Sequence, residues 1–86
     1  MYISLISLPA SRFPVLKVTK VLRLLRQIGY REVPGLGKGS HVWLRAEGRK
    51  SICLPMHKGR ELSPRLLRKM LVEDAGLTDA EIDALL

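Results

Sequence analysis

Eighty-six residues with fifteen Lys and Arg, eight Asp and Glu, two His and one Cys give a net charge of +7. That length holds one domain with a thin core, because a chain this size buries only about 60–65% of the surface it exposes unfolded. A single cysteine excludes a disulfide framework and any multi-cysteine metal module, and no apolar run nears the roughly 18–20 residues of a membrane span. What remains is a small, reduced, cytoplasmic and basic domain. Its charge is uneven. All fifteen bases and only Glu32, Glu47 and Glu61 lie in residues 1–72, a balance of +12. Residues 73–86 carry Glu73, Asp74, Asp79, Glu81 and Asp83 and no base. Such an excess points to a polyanion, above all nucleic acid, as partner.

Met1–Pro14 differs in kind from the rest of the chain. Its alternation over Tyr2–Leu8 and its two prolines read as an unstructured overhang, an added edge strand or an over-extended start. With no basic start and a poor cleavage site, it is not a secretory signal. Residues 1–16 are therefore an N-terminal extension, and residues 17–86 the domain. From Val18 the apolar residues Val21, Leu22, Leu25 and Ile28 recur at helical spacing, with Thr19 as a cap and Gly29 as the stop. The period then falls to two. Tyr30–Pro34 predicts a first strand, Gly35–Gly39 a glycine-rich loop, His41–Arg45 a second strand and Ser51–Leu54 a third, ended by Pro55. Glu47-Gly48-Arg49 supplies the hairpin turn.

Met56–Leu62 reads as a loop, and Ser63-Pro64 as an N-cap with proline in the first turn. Leu66, Leu67, Met70, Leu71 and Ala75 form one stripe of a second helix that Gly76 closes. Thr78-Asp79-Ala80-Glu81 is a capping box for a short C-terminal helix. The fold class is α+β: a small two-layer α-β-β-β-α domain whose helices cover one face of the sheet. The acidic end either finishes the core through Leu77, Ile82 and Leu85, or meets another protein.

Alternation places His41, Trp43 and Arg45 on the uncovered face, with Cys53 beside them. Trp43 can stack a base there, or lie under the N-terminal segment or in a protein interface. Gly39 and Ser40 offer close backbone approach and a hydroxyl to a phosphate, and His41 suits proton transfer. Lys38 and Arg45 are the nearest cations, and Arg65, Arg68 and Lys69 on the second helix predict a phosphate clamp. A zinc site from Cys53, His57 and His41 lacks the paired spacing such sites need, so no metal and no cofactor are expected.

Gly39-Ser40-His41, Pro55-Met56-His57, the run Glu61–Leu71, Ala75–Thr78 and Leu24–Tyr30 together resemble the HicA family of toxins from bacterial and archaeal toxin–antitoxin pairs. The likeness spans about Lys17–Leu86. The Pro34–Lys38 loop is longer and richer in glycine than in the family, and residues 1–16 have no counterpart. The resemblance implies a fold similar to the double-stranded-RNA-binding domain, metal-independent cleavage of mRNA, and neutralisation by a HicB-like antitoxin. It also implies that His41 is the active histidine. As general base, His41 would deprotonate a ribose 2′-hydroxyl and leave a 2′,3′-cyclic phosphate. His57 or water is the candidate acid, although His57 also reads as a stabiliser of its loop. The alternative is a non-catalytic RNA-binding module of the same fold. A DNA-binding repressor fits less well, since a sheet rather than a short turn separates the two main helices.

Overall fold

The computed structural model describes residues 8–35, 39–57 and 59–86. A 3₁₀ turn (Ala10–Arg12) leads to strand β1 (Leu16–Lys17), helix α1 (Val18–Gln27) and strands β2 (Arg31–Glu32), β3 (His41–Arg45), β4 (Ile52–Pro55) and β5 (Glu61–Leu62). Helix α2 (Pro64–Arg68) runs directly into a π-helical segment (Lys69–Asp74), and α3 (Asp79–Leu85) ends the order. Strands β2, β3 and β4 form an antiparallel sheet in that order, between α1 and α2 in the chain. The result is the expected α+β arrangement, α-β-β-β-α with a short C-terminal helix.

Helix α1 forms because Val18, Val21, Leu22, Leu24 and Leu25 stack on one side and are buried. It begins at Val18, without the expected Thr19 cap; Lys17 holds the N-cap position in extended backbone and makes no side-chain cap bond. The Val18 N–H instead donates to the Arg60 carbonyl (2.9 Å), so a tertiary contact satisfies one of the free donors at this helix end. The helix ends as its sequence predicts. Gly29 adopts φ +103°, its N–H donates to the Arg26 carbonyl, and the Tyr30 N–H donates to the Leu25 carbonyl.

Tyr30 is fully buried, and its hydroxyl donates to the Lys50 carbonyl at 2.7 Å. That bond fastens the end of α1 to the β3–β4 turn. Leu44, Ile52 and Leu54 turn inward and pack with Leu25, Leu67 and Leu71 in a single core. Burial alternates along β3 and β4 as the sequence requires of a sheet covered on one face. Pro55 belongs to β4, paired with His41, one residue beyond the stop expected of it; it sits at a strand end where no further ladder bond is needed.

The stretch expected as a loop, Met56–Leu62, finishes as β5, whose Leu62 and Glu61 pair with Leu16 and Lys17. Two residues on each side are too few to leave a periodic signal. Phe13 is 4% exposed and belongs to the core, and the 3₁₀ turn packs against α2. The second helix starts at its Ser63 cap, whose hydroxyl accepts from the Leu66 N–H. Past Arg68 it widens to π-helical hydrogen bonding, seen where Ala75 N–H donates to the Met70 carbonyl (2.8 Å). The Thr78–Glu81 capping box is formed in both directions.

Candidate nucleic-acid interface and histidine site

Register decides what the open face of the sheet presents. Trp43 faces Cys53 across β3–β4, Arg45 faces Arg31 across β2–β3, and His41 faces Pro55. His41, Trp43 and Arg45 are exposed and share one side, while Leu44 on the other side is fully buried. Trp43 is 37% exposed, on the middle strand of the sheet. Arg45 enters no ion pair among the described residues. Arg31 is used differently: its guanidinium donates to the Tyr30 and Arg26 carbonyls and so caps the end of α1.

The two histidines meet at one end of this face. Gly39 (φ +61°) turns the chain into β3, a conformation that favours glycine and sets Ser40 and His41 at the strand start. The Met56 N–H donates to the Ser40 carbonyl, so the chain leaving β4 stays paired with the chain entering β3. His57 is the next residue, and its Nε2 lies 2.8 Å from Ser40 Oγ. The rings of His41 and His57 are edge to face, with centroids 6.5 Å apart. Both side chains are exposed. The sequence singles out His57 but not its place beside His41; the pairing of His41 with Pro55, which puts Ser40 opposite Met56, is the signal that would have found it.

The three basic residues of the second helix part company. Arg65 is exposed and makes no ion pair among the described residues. Arg68 is part-buried: its Nε donates to the Leu8 carbonyl (2.8 Å) and its guanidinium sits 3.7 Å from Glu73. Lys69 lies 3.2 Å from Asp74. Of the expected clamp, Arg65 alone stands clear of these internal contacts. Lys38 lies outside the described residues.

Among the described residues no three His, Cys, Asp or Glu side chains converge in a way that could hold a metal ion, Cys53, His57 and His41 included. An open groove of about 280 Å³ is lined by Gln27, Ile28, Leu77, Glu81, Ala84 and Leu85, and includes neither histidine. His41 and His57 are themselves exposed. No helix of the described residues is long and apolar enough to cross a membrane.

A family model described as the HicA toxin of bacterial toxin–antitoxin matches residues 18–77, from the first residue of α1 to Leu77. No curated protein and no solved structure matches the chain.

Proposed function

Because the chain belongs to the HicA toxin family, we propose that it is the toxin of a toxin–antitoxin pair and a metal-independent mRNA endoribonuclease with His41 as general base. The observation that carries this reading is the location of His41. It is exposed at the start of β3, on the same side of the strand as Trp43 and as Arg45, which enters no ion pair among the described residues. RNA lying across the sheet would stack a base on Trp43 and place a phosphate near Arg45. His41 would then take the proton from a 2′-hydroxyl, which attacks the adjacent phosphorus and expels the 5′-oxygen, protonated as it leaves by His57 or water. The products are a 2′,3′-cyclic phosphate and a 5′-hydroxyl. Arg45 would offset charge gathering on the non-bridging oxygens.

Position and one proton acceptor suffice for this chemistry, which needs no nucleophile beyond the substrate's own hydroxyl. The toxin acts in the cytoplasm, where its mRNA substrate is found, and a HicB-like antitoxin protein neutralises it. The test is cleavage of a mixed single-stranded RNA in EDTA by the wild type and by His41→Ala, with product ends identified. We expect cyclic-phosphate ends from the wild type and a loss on the order of 10²–10⁴-fold in the variant. RNA binding by both proteins with cleavage by neither would instead identify a non-catalytic RNA-binding module.

A further inference from the structure

We propose that His57 is a second catalytic residue of this site, the general acid that protonates the departing 5′-oxygen; the proposal rests on the endoribonuclease reading. Three observations converge on it. The His57 ring stands edge to face with His41 at a centroid separation of 6.5 Å. Its Nε2 is fixed 2.8 Å from Ser40 Oγ, the hydroxyl of the residue that precedes His41. And the backbone on either side is tied down: Met56 N–H donates to the Ser40 carbonyl, and Arg60 N–H donates to the His57 carbonyl (3.0 Å).

The geometry matches the demands of the reaction. An in-line displacement at phosphorus puts the attacking and departing oxygens on opposite sides of one atom. Two proton-transfer groups within hydrogen-bond reach (about 2.6–3.2 Å) of those oxygens must therefore flank a single phosphate. Two imidazoles with centroids 6.5 Å apart, on adjoining ends of one hairpin, are close enough to reach one phosphate from two sides.

Ser40 gives His57 an orientation that suits an acid. A protonated imidazole donates from both nitrogens, and a serine oxygen can accept from one of them. With Nε2–H donating to Ser40 Oγ, Nδ1–H is left to donate, and it has no protein acceptor among the described residues. His41 has no side-chain hydrogen bond to the protein among those residues, which leaves its ring nitrogens accessible to a ribose hydroxyl.

The step balances. The 2′-oxygen bonds to phosphorus as its proton passes to His41, and the bond from phosphorus to the 5′-oxygen breaks as His57 gives that oxygen a proton. His41 ends protonated and His57 neutral, and exchange with water restores both. An uncatalysed departure would release an alkoxide, so the acid contributes most where the leaving oxygen is basic. That dependence separates an acid from a residue that only holds Ser40 and the loop in place.

The experiment compares two oligoribonucleotides carrying one cleavable linkage, placed at a site the wild type cuts. One has the natural 5′-oxygen at that linkage; the other has sulfur there, which departs as a thiolate without protonation. Wild type, His41→Ala and His57→Ala are assayed on both. We expect His57→Ala to lose about 10²-fold or more on the oxygen substrate, and to cleave the sulfur substrate at close to the wild-type rate. His41→Ala should fail on both.

The readout is the ratio of the two rates for one protein sample, so any loss of folded protein cancels. Equal losses on the two substrates would overturn the proposal and leave His57 a positioning residue for Ser40. No loss on either would overturn it as well. Failure of folded wild type to cut the mixed RNA from which that site is chosen would remove the endoribonuclease reading itself, and the acid with it.

Discussion

Trp43 is a large aromatic residue on the exposed side of β3. A tryptophan that served only packing would lie on the inner face with Leu44, whose side chain is fully buried. Trp43 is instead 37% exposed, opposite the small Cys53. Base stacking on an aromatic side chain is worth about 1–3 kcal/mol per base. Trp43→Ala should therefore weaken RNA binding roughly 5- to 150-fold, while the melting temperature changes little; fluorescence anisotropy and a thermal melt check both halves. His41 and Ser40 were legible in the sequence as a motif. The contact from His57 to Ser40 was not, because it spans seventeen positions and exists only once β3 and β4 are in register.

At the scale of elements, local chemistry was the most readable part. The capping box that starts α3 is encoded in four consecutive residues. Thr78 Oγ1 accepts from the Glu81 N–H (3.2 Å), and the Glu81 carboxylate accepts from the Thr78 N–H (2.8 Å). Thr78→Ala should cost about 0.5–2 kcal/mol in a denaturant melt. The same bonds fix the sign of a pH effect. Hydrogen bonds from the Thr78 backbone and then its side chain hold the Glu81 carboxyl below its ordinary value of 4.5.

A depressed carboxyl favours the folded state above its unfolded pKa, and that contribution disappears as pH falls through the lower folded value. Acidification should thus loosen α3 first, seen as a lower protection factor of the Thr78 amide once its exchange is corrected for the intrinsic pH dependence. Glu81→Gln should make that protection factor insensitive to acid over the same range. Two elements were harder to read. The two-residue pairing of β1 with β5 is too short to show a period. The π-helical stretch Lys69–Asp74 carries the apolar stripe of an ordinary helix, and nothing in Met70, Leu71 and Ala75 distinguishes the two hydrogen-bond patterns. Packing made the choice: the Asp74 carbonyl accepts from the Lys50 N–H and the Ala75 carbonyl from Arg49, both on the β3–β4 turn.

Across the whole molecule, the described part of the N-terminal extension is bound to the rest of the fold. Phe13 is buried in the core, Leu16 pairs with Leu62, and the Leu8 carbonyl accepts from Arg68. The family match begins only at residue 18, so the N-terminal partners in these contacts lie outside the matched segment. Phe13→Ala should destabilise the protein by roughly 3–5 kcal/mol, a fall in melting temperature on the order of 12–40 °C for a domain this small. An unchanged melt would mean that the extension contributes nothing to the core.

The extension also draws one base out of the basic surface. Arg68, engaged by the Leu8 carbonyl and Glu73, and Lys69, beside Asp74, have internal partners that Arg65 lacks among the described residues. The acidic residues 73 and 74 thus act partly inside the molecule, which the uneven charge of the chain alone did not disclose.

By itself the sequence determined the helix stops, the Ser63 and Thr78 caps though not that of α1, the two-sided character of β3, the α-β-β-β-α order and the family. Each structural feature in that set depends on residues close together in the chain: a glycine free to take positive φ, a hydroxyl within reach of the next turn, an alternation of period two. Only the tertiary structure decided that His57 stands beside His41, that Phe13 enters the core, and which of three helical bases remains clear of internal partners. Those outcomes depend on register and on packing between distant segments. A sequence of period two fixes which face a side chain takes, but not which residue it meets across the strand.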